Sequence, residues 1–134
     1  MDDDQDWLKG ARECMDLHFK LADEFNPLMA NLYSDDALIQ NTVLNSDGSQ
    51  KTRVIPAPYY KSIIAKAMRL AKEMGDIYTY SDLEFKKEGD RVRVTYVRYS
   101  HLRDYSSPVS MLMGLEGDAA GMVFEELSVM KGYA

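Results

Sequence analysis

Two histidines, one cysteine and nine tyrosines stand beside 22 acidic and 16 basic side chains in this chain of 134 residues. His18 and Arg98 have the placements that best suit chemistry. His18 projects near the middle of an apolar stripe made by Trp7, Leu8, Ala11, Cys14, Met15, Leu21, Ala22 and Phe25, read at roughly 100° per residue. An imidazole on an inward helix face can act as a general acid or base, or serve as a hydrogen-bonded core residue. Arg98 lies on a strand where Val92, Val94, Tyr96, Arg98 and Ser100 alternate with Arg91, Arg93, Thr95, Val97, Tyr99 and His101. The first set makes the better inward face. An inward guanidinium needs an acidic partner, a cluster of carbonyls or an anionic ligand. Arg98 is thus either half of a rim salt bridge or an anchor for a carboxylate or phosphate. His101 has the opposite parity and belongs on the outer surface, so the two histidines form no pair. Tyr33 and Tyr60 fall near helix ends, where each sets a hydroxyl above an apolar ring. Met111 and Met113 share a face with Val109 and Leu115, as core filler or as a deformable lining for a lipophilic ligand.

The elements that must hold these residues follow from periodicity and punctuation. Trp7 to Phe25 reads as an amphipathic helix, and Asn26-Pro27 as the capped start of a short second helix through Tyr33. Ala37 to Leu44 and roughly Lys51 to Ile55 read as a hairpin around Asn45-Ser46-Asp47-Gly48-Ser49. Pro56 and Pro58 end the return strand, and Tyr59 to Met74 has helical spacing up to a stop at Gly75. Four strands follow, Ile77 to Lys87, Arg91 to Arg103, Val109 to Glu116 and Gly121 to Met130, with turns at Glu88-Gly89-Asp90 and Glu116-Gly117-Asp118. The order predicts an α+β domain spanning residues 1–134, with helices covering one face of a curved antiparallel sheet.

Composition narrows the function. A net charge of −6 repels a polyanion over most of the surface, so nucleic acid is not an expected partner. Two histidines and one cysteine fall short of the usual zinc ligand sets, and no Walker loop, dinucleotide fingerprint, zinc-protease motif or nucleophile elbow occurs. No metal or cofactor is therefore expected. No stretch approaches the roughly 18 apolar residues of a membrane span. The acidic start Met1-Asp2-Asp3-Asp4 is unlike a signal-peptide head, which points to the cytoplasm, or to export if a leader has been removed.

The element order, together with Leu32-Tyr33-Ser34-Asp35-Asp36-Ala37-Leu38-Ile39-Gln40-Asn41, resembles the nuclear-transport-factor-2-like superfamily, which includes SnoaL-like and ketosteroid-isomerase-like proteins. The resemblance implies a cystatin-like cone, a bent sheet wrapped around a long N-terminal helix and two further helices, with a pocket at its open end. It places His18 on the helix that lines the pocket. Asn41 matches the position where ketosteroid isomerases carry a catalytic carboxylate, and an amide there can orient a carbonyl but cannot shuttle a proton. In the Asp-Arg-Asp arrangement of limonene-epoxide-hydrolase-like members, Arg98 can stand for the arginine, whereas Ser100 occupies a place wanting an acid. Glu125 or Glu126 of the last strand can supply one, the strand's parity being open, and Glu125 joins the candidate set.

The leading expectation is a pocket for a small apolar or amphipathic molecule with a polar or anionic end. His18 is its candidate catalytic group, and Tyr33, Asn41, Tyr60, Tyr96, Arg98, Ser100 and Glu125 are its candidate ligand-binding residues. The alternatives are a SnoaL-like isomerase, cyclase or dehydratase in the same pocket, and a protein-interaction module whose pocket is filled. An aromatic patch of Tyr78, Tyr80, Val97, Tyr99 and His101 on the outer sheet face is expected to form a homodimer, as the resembled family commonly does.

Overall fold

The computed structural model describes residues 3–115 and 120–131. Helix α1 (Asp3–Asp23) is followed by a 3₁₀ helix (Pro27–Leu32), strands β1 (Tyr33–Leu44) and β2 (Gln50–Pro56), and helix α2 (Ala57–Met74). Strands β3 (Tyr78–Glu88), β4 (Arg91–Ser100), β5 (Tyr105–Gly114) and β6 (Val123–Lys131) complete the chain. The expected turn at Glu116-Gly117-Asp118 lies outside the described residues. Asn26 caps the 3₁₀ helix as its type predicts, its side-chain oxygen accepting from Leu28 N at 3.0 Å, with Pro27 in the first turn. At the end of α2, Gly75 takes a left-handed conformation (φ 70°), and the N–H groups of Asp76 and Gly75 close onto the Ala71 and Lys72 carbonyls.

The six strands form one curved sheet in the order β2-β1-β6-β5-β4-β3. All neighbours are antiparallel except β1 and β6, which run parallel. The sheet is therefore mixed rather than wholly antiparallel. A parallel pair needs a long crossover, and the chain from β2 through α2 to β5 supplies it. The concave face buries Val92, Val94, Met111, Met113 and Val123 against Ala11 and Met15 of α1 and Ile64 of α2. Each such side chain contributes about 1.5–3 kcal/mol. Met111 and Met113 are thus core residues. Phe19 of α1 stacks on Tyr80 (4.1 Å between centroids) and meets Tyr96 edge-on (5.3 Å), which sets the helix against β3 and β4. Among the described residues no helix is long and apolar enough to cross a membrane.

Three register shifts interrupt the ladders, and two of them decide what faces the interior. In β3, Phe85 opposes Val94 and Tyr80 opposes Arg98, so five residues span what four span on β4. The extra residue is taken up around Asp82, whose φ of 56° lies in the left-handed region. Counting by twos from inward Phe85 sends Tyr78 and Tyr80 outward. The bulge instead turns both inward, where they pair with Ser100 and Arg98. The expected outer aromatic patch accordingly loses Tyr78 and Tyr80, while His101 sits exposed in the β4–β5 turn against Tyr99.

Asp82 should tolerate glycine, which adopts positive φ freely, with no loss of stability. Asp82→Val should cost about 1–3 kcal/mol. Urea denaturation of the two variants checks this.

Candidate functional site

Glu126 lies at the centre of the concave face and is buried. A second bulge puts it there: Met113 opposes Val123 and Leu112 opposes Glu125, leaving Phe124 as the extra residue of β6. Alternation from buried Val123 points Glu125 inward. With the bulge, Glu126 pairs with inward Met111 and Ile39, and Glu125 turns to the outer face, where Arg93 holds it at 2.6 Å. Glu125 is thus no part of the pocket, and Glu126 is its acid.

Two tyrosines hold the Glu126 carboxylate. Tyr33 at the start of β1 donates its hydroxyl to Oε1 at 2.6 Å, and Tyr60 in α2 donates to Oε2 at 2.5 Å. The rings meet edge to face with centroids 5.4 Å apart. Burial first, and then the Glu126 charge, push both phenols well above their ordinary range, so both stay protonated and remain donors.

Around this cluster lies a cavity of about 60 Å³ walled by His18 of α1, Tyr78 and Tyr80 of β3, Tyr96 and Arg98 of β4, and Glu126. A wider space of about 330 Å³ opens beside it at the end of the sheet, lined by Ser100, Arg103, Tyr105, Ser107 and Met130. Tyr78 and Arg98 border both spaces. Burial raises the phenols of Tyr78, Tyr80 and Tyr96, that of Tyr80 to about 12.

Arg98 faces inward, as strand alternation predicts. Its guanidinium lies over the Tyr78 ring at 5.3 Å, and no described carboxylate oxygen comes within 4.0 Å of its nitrogens. The expected rim salt bridge does not form. Burial opposes its charge, and the surrounding Tyr96, Glu126 and Tyr60 outweigh that, leaving the guanidinium firmly protonated. His18 is buried at the cavity wall, and its Nδ1 has no hydrogen-bond partner among the described residues. Burial holds the imidazole below its ordinary pKa; Glu126 pulls it upward and Arg98 adds to the lowering. It is therefore neutral at pH 7.

Of the residues singled out in the sequence, His18, Tyr33, Tyr60, Tyr96 and Arg98 converge on the inner cavity. Ser100 lines the outer space, but its hydroxyl is committed to buried Asp76, at 2.9 and 3.2 Å from the two carboxylate oxygens. Asn41 lines neither space: its amide donates to Ser128 Oγ at 2.9 Å and accepts from Arg53 at 3.5 Å. It therefore ties β1 to its neighbouring strands. Tyr78 and Tyr80 escape sequence reading because a bulge sets their parity, and of the two acids left open on the last strand the β6 bulge turns Glu126 inward. Asp76 carried one usable signal, its place directly after the helix-stopping Gly75. Among the described residues no three His, Cys, Asp or Glu side chains converge as a metal site.

No protein-family model and no curated protein matches the chain. Solved structures do. An NTF2-like protein of unknown function from Shewanella baltica superposes with a TM-score of 0.65 at 10% identity, over 96% of this chain and 95% of that one. An NTF2-like protein with a cystatin-like fold from Novosphingobium aromaticivorans gives 0.61 at 14% identity, over 93% and 82%. This chain has the NTF2-like fold. Another NTF2-like protein, from Cytophaga hutchinsonii, matches over 96% of this chain and 98% of its own at a TM-score of 0.59 and 14% identity. At such identities the likeness carries the NTF2-like fold and no activity.

A histidine whose folded pKa lies below its unfolded value binds fewer protons in the native state, so stability falls as pH drops through the unfolded pKa near 6.5. Denaturant melts between pH 7.5 and 5 should show wild type losing more stability than His18→Gln over that interval.

Proposed function

We propose that the protein binds a small amphipathic molecule, its apolar body in the outer space and its polar or anionic end at Arg98. The observation that carries this reading is the guanidinium itself, which borders both spaces and has no described ion-pair partner. A half-buried cation placed this way has its donors free for a ligand that supplies acceptors. Tyr78, Tyr105 and Met130 offer ring faces and a thioether to the body of such a molecule. The outer space has the volume of a small-ligand site, which speaks against a cone filled by its own side chains.

A second reading, acid/base chemistry of the SnoaL-like isomerase, cyclase or dehydratase kind, is favoured by one observation. A neutral His18 and a carboxylate held by two phenols face the same cavity as a cation able to stabilise a developing oxyanion.

Native mass spectrometry of the purified protein, followed by a screen of small amphipathic molecules, identifies the ligand. Arg98→Met should then weaken its binding roughly 10- to 100-fold, the worth of a hydrogen bond to a charged group. An unchanged Kd would remove Arg98 as the anchor. If the bound molecule is turned over, His18→Gln should abolish turnover while leaving binding within about threefold; retained turnover would remove His18 from the chemistry.

A further inference from the structure

The charges that face the inner cavity cancel. Arg98 comes from β4 and Glu126 from β6, while His18 from α1 is neutral at pH 7. The other titratable groups there are phenols, Tyr33 from β1, Tyr60 from α2, Tyr78 and Tyr80 from β3 and Tyr96 from β4, and all are held protonated. The outer space, which Arg98 also borders, adds Arg103 and, behind Ser100, Asp76. Arg98 and Glu126 are not in contact, yet the field of Glu126 reaches both Arg98 and His18. A carboxylate bound at Arg98 would therefore sit in the field of a second, fixed anion within a ring-walled space. It would bring an uncompensated negative charge into a site that is already balanced.

The hydrogen-bonding groups left open have a different requirement. The guanidinium offers only donors, and a neutral imidazole offers one donor and one acceptor. Neither side chain makes a hydrogen bond to a described residue. The cavity of about 60 Å³ admits a head of a few non-hydrogen atoms, with the body in the adjoining space.

We propose that the inner cavity is a subsite for an uncharged polar head that both accepts and donates hydrogen bonds, such as a carboxamide, a lactam or an enolised carbonyl, in preference to a free carboxylate. The assignment rests on the ligand-binding reading above and narrows the class of ligand. The head's oxygen accepts from Arg98 and its N–H or O–H meets the His18 imidazole. A carboxylic acid enters only together with a proton.

The test uses the full chain and two isosteric probes, 2-naphthamide and 2-naphthoate, titrated calorimetrically at pH 8 and pH 6. At pH 8 the amide should bind at least tenfold tighter. The naphthoate should tighten at pH 6 with proton uptake, read from buffers of different ionisation enthalpy, while the amide should not change. Glu126→Gln removes the fixed anion and should reverse the preference at pH 8 in favour of naphthoate. Naphthoate binding as tightly as naphthamide to wild type at pH 8 without proton uptake would overturn the assignment and leave the ligand-binding reading standing. An unchanged preference in a folded Glu126→Gln protein would overturn it as well. Should that variant fail to fold, the wild-type comparison decides. Binding of neither probe would overturn the pocket reading, and the head-group assignment with it.

Discussion

A carboxylate held by two phenols is the constraint on which the interior of this protein depends. Glu126 cannot be buried in a cone walled by methionine, valine and tyrosine without donors on both of its oxygens, and Tyr33 and Tyr60 provide one each. The three residues belong to β6, β1 and α2. The same pair of hydrogen bonds therefore satisfies a buried charge, supports the parallel junction in the sheet and holds α2 over it. Removing one hydroxyl would leave a carboxylate oxygen without its donor, a loss of about 1.5–3 kcal/mol of charge-assisted bonding.

Everything polar in the cavity is arranged around that fixed anion. Arg98 can remain without a contact ion pair because Glu126 offsets its charge from a distance, and His18 can remain neutral because burial prevails over the attraction of Glu126. Tyr33, Tyr60, Tyr78, Tyr80 and Tyr96 wall the cavity in which these fields act. Phe19, Tyr80 and Tyr96 also set the angle at which α1 crosses the sheet, so the residues that shape the electrostatics shape the packing as well.

Much of this was legible in the residues. Apolar spacing located α1 and α2, Asn26-Pro27 and Gly75 marked their ends, and the alternation of β4 correctly turned Tyr96, Arg98 and Ser100 inward. The departures in facing share a cause. Strand parity is a running count by twos, and one inserted residue inverts every assignment beyond it. The bulge at Asp82 moved Tyr78 and Tyr80 from the surface to the cavity wall, and the one at Phe124 decided between Glu125 and Glu126, whose parity the residues alone leave open. Neither bulge carries a glycine, the usual written sign of such a break. Asn41 failed differently: its side faces inward as expected, but Ser128 and Arg53 had already engaged its amide. The parallel pairing of β1 with β6 depends on which edges meet, information that no local pattern holds.

Asp76 has an effect wider than its contact with the Ser100 hydroxyl. Placed by the helix-ending turn of α2, it also receives the Leu102 N–H at 3.3 Å, while Ser100 Oγ in turn accepts from Arg103 N at 3.2 Å. The turn that brings Arg103 to the rim of the outer space is thus held in part by one carboxylate just past the end of a helix, beside the Ile77 carbonyl that receives the His101 N–H. The Glu126 cluster at the floor of the cone is anchored elsewhere, by Tyr33 of β1 and Tyr60 of α2. Substitutions in the His101–Asp104 turn can resize the entrance while the tyrosine floor keeps its shape, which gives this scaffold a way to change what it admits without rebuilding what it grips.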